Sequence, residues 1–215
     1  LDKELVLIIE DLDKVPLSAA DEIFIRNPAP LVDLACKAIY TAPIWLLYNP
    51  RAGMLDAFFK KVKLPMIKTR EPGGEKCEEG WSTIESIVAK RFDTASLIEK
   101  DALDLAIGKT GGVLRHLFEI LYRAASAANQ AVRRGNRKEE KIVVGDVRYG
   151  LDQWRMELVA RIGTIGLPDE YKDIEVADMY ARLRELVDCP RRLDSDRINI
   201  LLLQAHAVIE YNGTG

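Results

Sequence analysis

The chain has 215 residues, 48% of them hydrophobic and 30% charged, with a formal net charge of -3. It can therefore form one sizeable globular domain or two to three small ones, and its mild charge neither indicates nor excludes nucleic-acid binding. No apolar run reaches membrane-spanning length, no signal-peptide pattern opens the chain, and its three cysteines are far apart without a CxxC pair. A reduced, cytoplasmic protein without a membrane partner or a zinc site is the simplest interpretation.

Residues 5–14 combine an apolar run with a group of acids. The five apolar residues from Leu5 to Ile9 predict a fully buried strand of a parallel sheet. Glu10, Asp11 and Asp13 follow directly, at the end of the strand where open α/β sheets bind ligands. Because these acids repel one another, a Mg²⁺ ion with its phosphates would satisfy them. The alternative is a solvated acidic turn, in which Asp13 caps the next element.

The following segment predicts a right-handed parallel βαβ unit. Helical patterns occur between residues 17 and 40, and the short apolar run from Pro43 to Tyr48 predicts the second strand. Lys63 to Lys68 resembles a third strand, and the glycine- and proline-rich stretch from Arg70 to Gly80 predicts a loop or domain boundary.

Asn49 directly follows the predicted second strand. A polar side chain there would lie beside the acids that follow the first strand, because parallel strands end at the same edge of a sheet. The alternative is an ordinary turn, since Asn49 and Pro50 both favour turns.

The chain after Gly80 is predicted to be helical. The predicted helices are one marked by Trp81, Ile84 and Val88, a short one over Ala102–Ile107 capped by Asp101 and ended by Gly108, and longer ones over about Val113–Arg133, Asp146–Ile162, Val176–Val187 and Asp196–His206. Asn212-Gly213 after an apolar run predicts the turn of a β-hairpin. Helix, helix and hairpin in this order are typical of a winged-helix module.

Gly111 and Gly112 precede the longest of these helices, and Arg115 lies in its first turn. A guanidinium is always charged and binds phosphate with two hydrogen bonds. The alternative is a helix start with a surface arginine. Gly108-Lys109-Thr110 looks like the end of a phosphate-binding GxxxxGK[ST] loop, but Leu103 occupies the position of the leading glycine, so this motif is rejected.

Taken together, the acids after a strand, the polar residue after its neighbour, the GGVLR helix and the winged-helix-like tail resemble a P-loop ATPase of the AAA+/STAND type. The resemblance is to a prokaryotic member with a lid like that of origin-recognition ATPases. It implies that Glu10 and Asp11 bind Mg²⁺, that Asp11 orients the attacking water, and that Asn49 and Arg115 contact the γ-phosphate of ATP. The chain resembles a fragment that starts at the Walker B strand and lacks Walker A.

The implied fold class is α/β plus all-α. Residues 1–72 would form the C-terminal part of the ATPase core, residues 80–165 a helical lid, and residues 168–215 a partial winged-helix-like domain. The resemblance implies an ATP-hydrolysing switch with Mg-ATP between core and lid and a nucleotide-dependent oligomer, and the chain by itself is expected to be inactive. An arginine finger is also expected, for which Arg51 and Arg91 are candidates.

The alternative function is a DNA- or protein-binding adaptor with a degenerate nucleotide site. Glu10 stands where the resembled family usually has aspartate, and this supports the alternative. Five arginines of the tail could face phosphates, although acids interleave with them; they are Arg182, Arg184, Arg191, Arg192 and Arg197. Use of the tail for packing or protein contacts is an equal alternative to DNA binding.

Overall fold

The computed structural model describes residues 4–64, 66–71, 73–164, 171–188 and 196–208. The described chain is mostly helical and contains a two-stranded parallel sheet, which is consistent with a mixed α/β protein.

Two compact units make up the chain. The first contains residues 1–62 and 160–208, and the second contains residues 63–159 and 209–215. Residues from both segments of the first unit share one hydrophobic core. The predicted domains 1–72, 80–165 and 168–215 stay a prediction.

The sheet of the first unit consists of β1 (Val6–Ile9) and β2 (Lys37–Tyr40), which pair in parallel with Ile9 opposite Tyr40. Helical segments connect the two strands. The expected parallel pairing is present, but β2 occupies residues 37–40, where the sequence predicted helix. The Tyr40 hydroxyl donates a hydrogen bond to the Leu31 carbonyl at 2.7 Å. Burial raises the pKa of this hydroxyl, with a smaller contribution from Cys36.

The predicted second strand from Pro43 to Tyr48 is wrong. Residues Ile44–Tyr48 form a 3₁₀ helix whose Trp45 and Leu46 side chains are buried in the core of the first unit. A short apolar run does not by itself distinguish a strand from a buried helical turn. The second strand is instead Lys37–Tyr40, in which exposed and half-buried residues alternate.

The prediction that β1 is fully buried is also wrong for the described structure. Leu5 is 63% exposed and Ile8 is 65% exposed, and Val6 and Leu7 are exposed as well. The strand has a single described neighbour, β2, and no described helix covers these side chains.

The predicted third strand at Lys63 to Lys68 is absent from the described residues of that segment, from which Pro65 is excluded. Thr69, just beyond it, uses its carbonyl to accept hydrogen bonds from the Cys77 amide at 3.1 Å and from the Trp81 indole at 2.9 Å. These partners belong to the second unit's own helical region, so this backbone packs on helices rather than joining the sheet.

Short helical segments surround the core of the first unit. They are the 3₁₀ helices Leu12–Lys14, Ile44–Tyr48 and Ala52–Ala57, the π-helical turn Asp21–Arg26, and the α-helices α1 (Leu17–Ala20) and α2 (Ala29–Val32). The side chains of Leu17, Phe24 and Leu55 are buried in this core.

The described residues of the second unit form five α-helices, and the last of these continues into the first unit. They are α3 (Glu78–Ala89), α4 (Thr94–Leu97), α5 (Lys100–Thr110), α6 (Leu114–Arg133) and α7 (Val144–Thr164). The prediction of α6 is confirmed nearly to the residue. The predicted short helix capped by Asp101 is longer than expected, because Glu99 is the N-cap and Gly111, rather than Gly108, ends α5.

Two more helices, α8 (Val176–Asp188) and α9 (Arg197–Gln204), complete the first unit. Asp196, which was predicted to be the first residue of this helix, is instead its N-cap, since its carboxylate accepts a hydrogen bond from the Ile198 amide at 2.7 Å. The predicted hairpin turn at Asn212-Gly213 lies outside the described residues. Among the described helices, none is both long and apolar enough to cross a membrane.

Candidate functional site

The carboxyl ends of β1 and β2 lie side by side and carry the polar residues of the candidate site. The Thr41 amide donates a hydrogen bond to the Ile9 carbonyl at 3.1 Å, one step beyond the pair Ile9–Tyr40. Glu10 and Thr41 therefore leave the sheet at the same edge. Ligands of open α/β sheets bind at this edge.

Asp11 occupies a left-handed backbone conformation, with φ 69°. This conformation is unfavourable for most residues, although aspartate tolerates it better than branched side chains. The turn places the Asp11 carboxylate in solvent, where it pairs with Lys14. Both side chains are more than half exposed, so this ion pair is weak and its lysine can be displaced by another cation.

Glu10 and Asp13 present further carboxylates beside Asp11. Both are exposed, and among the described residues neither forms a side-chain hydrogen bond or ion pair that would occupy its oxygens. Carboxylate oxygens are the protein ligands that Mg²⁺ prefers. In the described part of the chain, no group of three or more His, Cys, Asp or Glu side chains is arranged to hold a metal by itself.

Thr41 is a site residue that the sequence analysis missed. Its hydroxyl oxygen is buried and has no hydrogen-bond partner among the described residues. Leaving a buried hydroxyl unpaired costs about 1–3 kcal/mol, so such groups mark places where a water or ligand completes the bonding. The residue was overlooked because the second strand was expected after it, at Pro43, rather than before it.

Asn49 does not lie at the end of a strand. It follows the 3₁₀ helix Ile44–Tyr48 and is buried, with 7% of its surface exposed. Its side-chain oxygen accepts a hydrogen bond from the Arg51 amide at 2.9 Å, which is typical of an Asx turn. The structural premise of its predicted contact with the γ-phosphate is therefore wrong, and the contact itself stays a prediction.

A second feature that the sequence analysis missed is a buried aspartate between two arginines. Asp21 is 2% exposed. Its two carboxylate oxygens accept hydrogen bonds from Arg26 Nε at 2.6 Å and from Arg51 Nη2 at 2.8 Å. This cluster holds the guanidinium of Arg51, a candidate arginine finger, against the first unit's own carboxylate.

Arg115 belongs to the second unit, where it lies exposed in the first turn of α6. The two glycines before this helix both have left-handed backbones, with φ 59° at Gly111 and 84° at Gly112. They make a tight connection between α5 and α6. Arg91, the other candidate finger, stacks its guanidinium 4.6 Å from the ring centre of Phe118.

The described arginines of the tail are largely engaged by acids. Arg182 pairs with Glu185 and Asp196, and Arg197 pairs with Asp173. Arg197 holds the pKa of Asp173 below its usual range. Arg184 is exposed. Arg191 and Arg192 lie outside the described residues. These ion pairs reduce the positive charge that the tail could offer to a nucleic acid, so they do not favour the DNA-binding form of the adaptor.

Comparison with protein-family models, with curated proteins and with solved structures returned no match.

Proposed function

We propose that this chain is part of an ATP-dependent molecular switch in which Mg-ATP binds at the carboxyl edge of the β1–β2 sheet. The observation that carries the proposal is the pairing of two parallel strands that end in acids on one side and in Thr41, with its unpaired buried hydroxyl, on the other. This edge offers oxygen ligands for a cation after one strand and a hydroxyl for a phosphate or water after its neighbour.

The donor set fits a magnesium nucleotide better than a metal ion bound by protein alone. Mg²⁺ is usually held by one or two carboxylates, and phosphates and waters complete its shell. Glu10 and Asp11 are two exposed carboxylates at the strand end, and they would hold the ion, which neutralises charge on the phosphates when bound. Asp11 would also orient the attacking water.

Thr41 takes the role that the sequence analysis gave to Asn49. Thr41 follows the strand that pairs with the acid-bearing strand, and its hydroxyl would donate to the γ-phosphate or position the attacking water. Arg115, in the second unit, would supply a guanidinium for the γ-phosphate. Such a switch needs a phosphate-binding loop, which the 215 residues do not contain.

The test is ATP binding and hydrolysis by the full-length protein with substitutions at the sheet edge. Asp11→Asn is expected to lower turnover by at least about 100-fold while ATP still binds, because the carboxylate acts in the reaction rather than in recognition. Asp33→Asn is the matched control, since it neutralises an exposed acid that precedes β2 and so lies away from the carboxyl edge, and near-normal turnover is expected.

Thr41 is tested in the same assay by two substitutions of similar size. Thr41→Val removes the hydroxyl and keeps the shape, and it is expected to lower turnover by about 10-fold or more. Thr41→Ser keeps the hydroxyl and is expected to retain most of the activity. Turnover that is unchanged in both Asp11→Asn and Thr41→Val would overturn the proposal, and ATP binding without turnover in the unaltered protein would favour the adaptor with a degenerate site.

A further inference from the structure

Residues 66–71, here called the strap, lie against two glycines of the second unit. A Cβ atom on Gly80, in the first turn of α3, would overlap the backbone carbonyl of Lys68. A Cβ atom on Gly112, between α5 and α6, would overlap the carbonyl of Ile67. Two successive carbonyls of the strap therefore sit where only glycine leaves room for them.

Hydrogen bonds hold the strap in this position. The Thr69 carbonyl accepts from the Cys77 amide at 3.1 Å and from the Trp81 indole at 2.9 Å, and Thr69 itself is 1% exposed. Beyond Thr69 the backbone forms a short turn, closed by a hydrogen bond from the Glu71 amide to the Glu75 carbonyl at 2.8 Å. The strap is thus an ordered part of the helical unit rather than a loose linker.

The Gly112 contact connects the strap to the start of α6. Gly112 precedes Arg115 by three residues, and its left-handed backbone directs the chain from α5 into α6. The first turn of α6 is closed by a hydrogen bond from the Leu117 amide to the Val113 carbonyl at 3.0 Å. If the strap moves away from Gly112, the junction between α5 and α6 loses the packing contact on that side.

We propose that the strap positions Arg115, so that displacement of residues 66–71 changes the setting of the first turn of α6. This inference rests on the proposed function, in which Arg115 binds the γ-phosphate. The chain enters the second unit at Lys63, three residues before the strap. The strap is therefore a segment through which a change in the preceding chain can reach the arginine.

Two substitutions release the strap by different means. Gly112→Ala places a methyl group where the Ile67 carbonyl lies. Gly135→Ala is the matched control, because Gly135 has a similar left-handed backbone (φ 74°) and no atom within 4 Å of an added Cβ. Trp81→Phe removes one hydrogen bond to Thr69 and provides a milder variant should Gly112→Ala fail to fold. Loss of this bond is expected to make the Cys77 amide exchange with deuterium about fivefold faster.

The position of Arg115 is read by a nitroxide at residue 115, introduced as Arg115→Cys in a chain whose native cysteines are replaced by serine. A nitroxide at Tyr122→Cys, two turns further along the exposed side of α6, serves as the reference. Release of the strap is expected to mobilise the label at residue 115 and to leave the label at residue 122 unchanged, whereas Gly135→Ala changes neither.

The proposal is overturned if exchange at residue 77 shows that the strap is released while the label at residue 115 keeps its mobility. This measurement needs no nucleotide. A full-length protein that shows the strap effect but binds no Mg-ATP would therefore contradict the proposed function and leave the positioning role of the strap standing.

Discussion

Asp21 is a buried carboxylate whose two hydrogen-bonding partners, Arg26 and Arg51, keep part of their surface in water. The arginines can stay hydrated while they pair, so the arrangement avoids much of the desolvation cost of a fully buried ion pair. It also joins the π-helical turn to the segment after Asn49, which is 30 residues further along the chain.

Replacement of Asp21 by alanine is expected to destabilise the first unit by about 2 kcal/mol, since two charge-assisted hydrogen bonds are lost and a small void remains. Asp56→Ala is the matched control, because Asp56 pairs with Lys61 on the surface with 62% of its side chain exposed. That change is expected to cost less than about 1 kcal/mol. Urea unfolding of both variants checks the difference, and equal losses would show that the buried cluster does not stabilise the unit.

Asp93 caps α4 and is expected to titrate below the ordinary range of an aspartate. Its pKa is lowered chiefly by the Ser96 hydroxyl, which donates to it at 2.8 Å, and further by the Ser96 and Ala95 amides. A lowered pKa means that the carboxylate stabilises the fold above the unfolded pKa of about 3.9 and loses this effect as the pH falls through the folded value.

Ser96→Ala is therefore expected to raise the pKa of Asp93 towards the ordinary value. At neutral pH the variant should have a lower free energy of unfolding than the unaltered protein, and in strong acid the two proteins should be equally stable. Carboxyl NMR titration of the two proteins measures the shift, and Ser82→Ala, at an exposed serine of α3, is the control. An unchanged pKa of Asp93 in Ser96→Ala would show that the serine does not bind the carboxylate in solution.

Single residues could be predicted from the sequence where their role is local. The start of α9 was predicted to within one residue, because the cap Asp196 is followed within two residues by the amide it binds, and such short-range bonds leave a composition signal. The roles of Asp21 and Thr41 depend on partners or strands distant in sequence, so no local pattern indicated them. Thr41 would have been found if the strand Lys37–Tyr40 had been assigned first.

At the level of elements, the long amphipathic helices were the most predictable. α6 and α7 carry enough turns for the period of 3.6 to be distinct, and both were found close to their predicted bounds. The strands are only four residues long. Over so few residues neither an alternating pattern nor an apolar run distinguishes a strand from a helical turn. The predicted strand at Pro43 to Tyr48 failed for this reason.

The glycines after α5 indicate that this helix ends before α6, but packing decides which glycine ends it. The sequence predicts that α5 ends at Gly108, which is three residues too early. The helix ends at Gly111 because the chain turns left-handed there and again at Gly112, where the strap leaves no space for a side chain. A pair of glycines between two helical patterns therefore indicates a close backbone contact as well as a turn.

At the level of the whole molecule, the solvent exposure of strand β1 does not match its apolar composition. Parallel strands are nearly always covered on both faces, and a two-stranded sheet alone is marginal in water. Leu5, Val6, Leu7 and Ile8 are nevertheless exposed. A contiguous apolar surface of this kind is typical of a site where another layer of protein packs, and strand edges of this kind also promote association.

The chain of 215 residues is therefore expected to bind a hydrophobic dye and to self-associate through β1. Ile8→Lys places a charge on this surface, and it is expected to lower both dye fluorescence and self-association, measured by sedimentation. Because Ile8 is 65% exposed, the free energy of unfolding should change by no more than about 0.5 kcal/mol.

Val62→Lys is the matched control for this substitution, since Val62 is 78% exposed but lies outside the sheet. It adds the same charge and removes an exposed apolar side chain, so it should leave dye binding and self-association almost unchanged. If Ile8→Lys instead lowers the urea midpoint strongly in the 215-residue chain, β1 is already covered there in solution. If both variants reduce association equally, added charge rather than the loss of an apolar sheet surface is the cause, and the sheet is not the site of association.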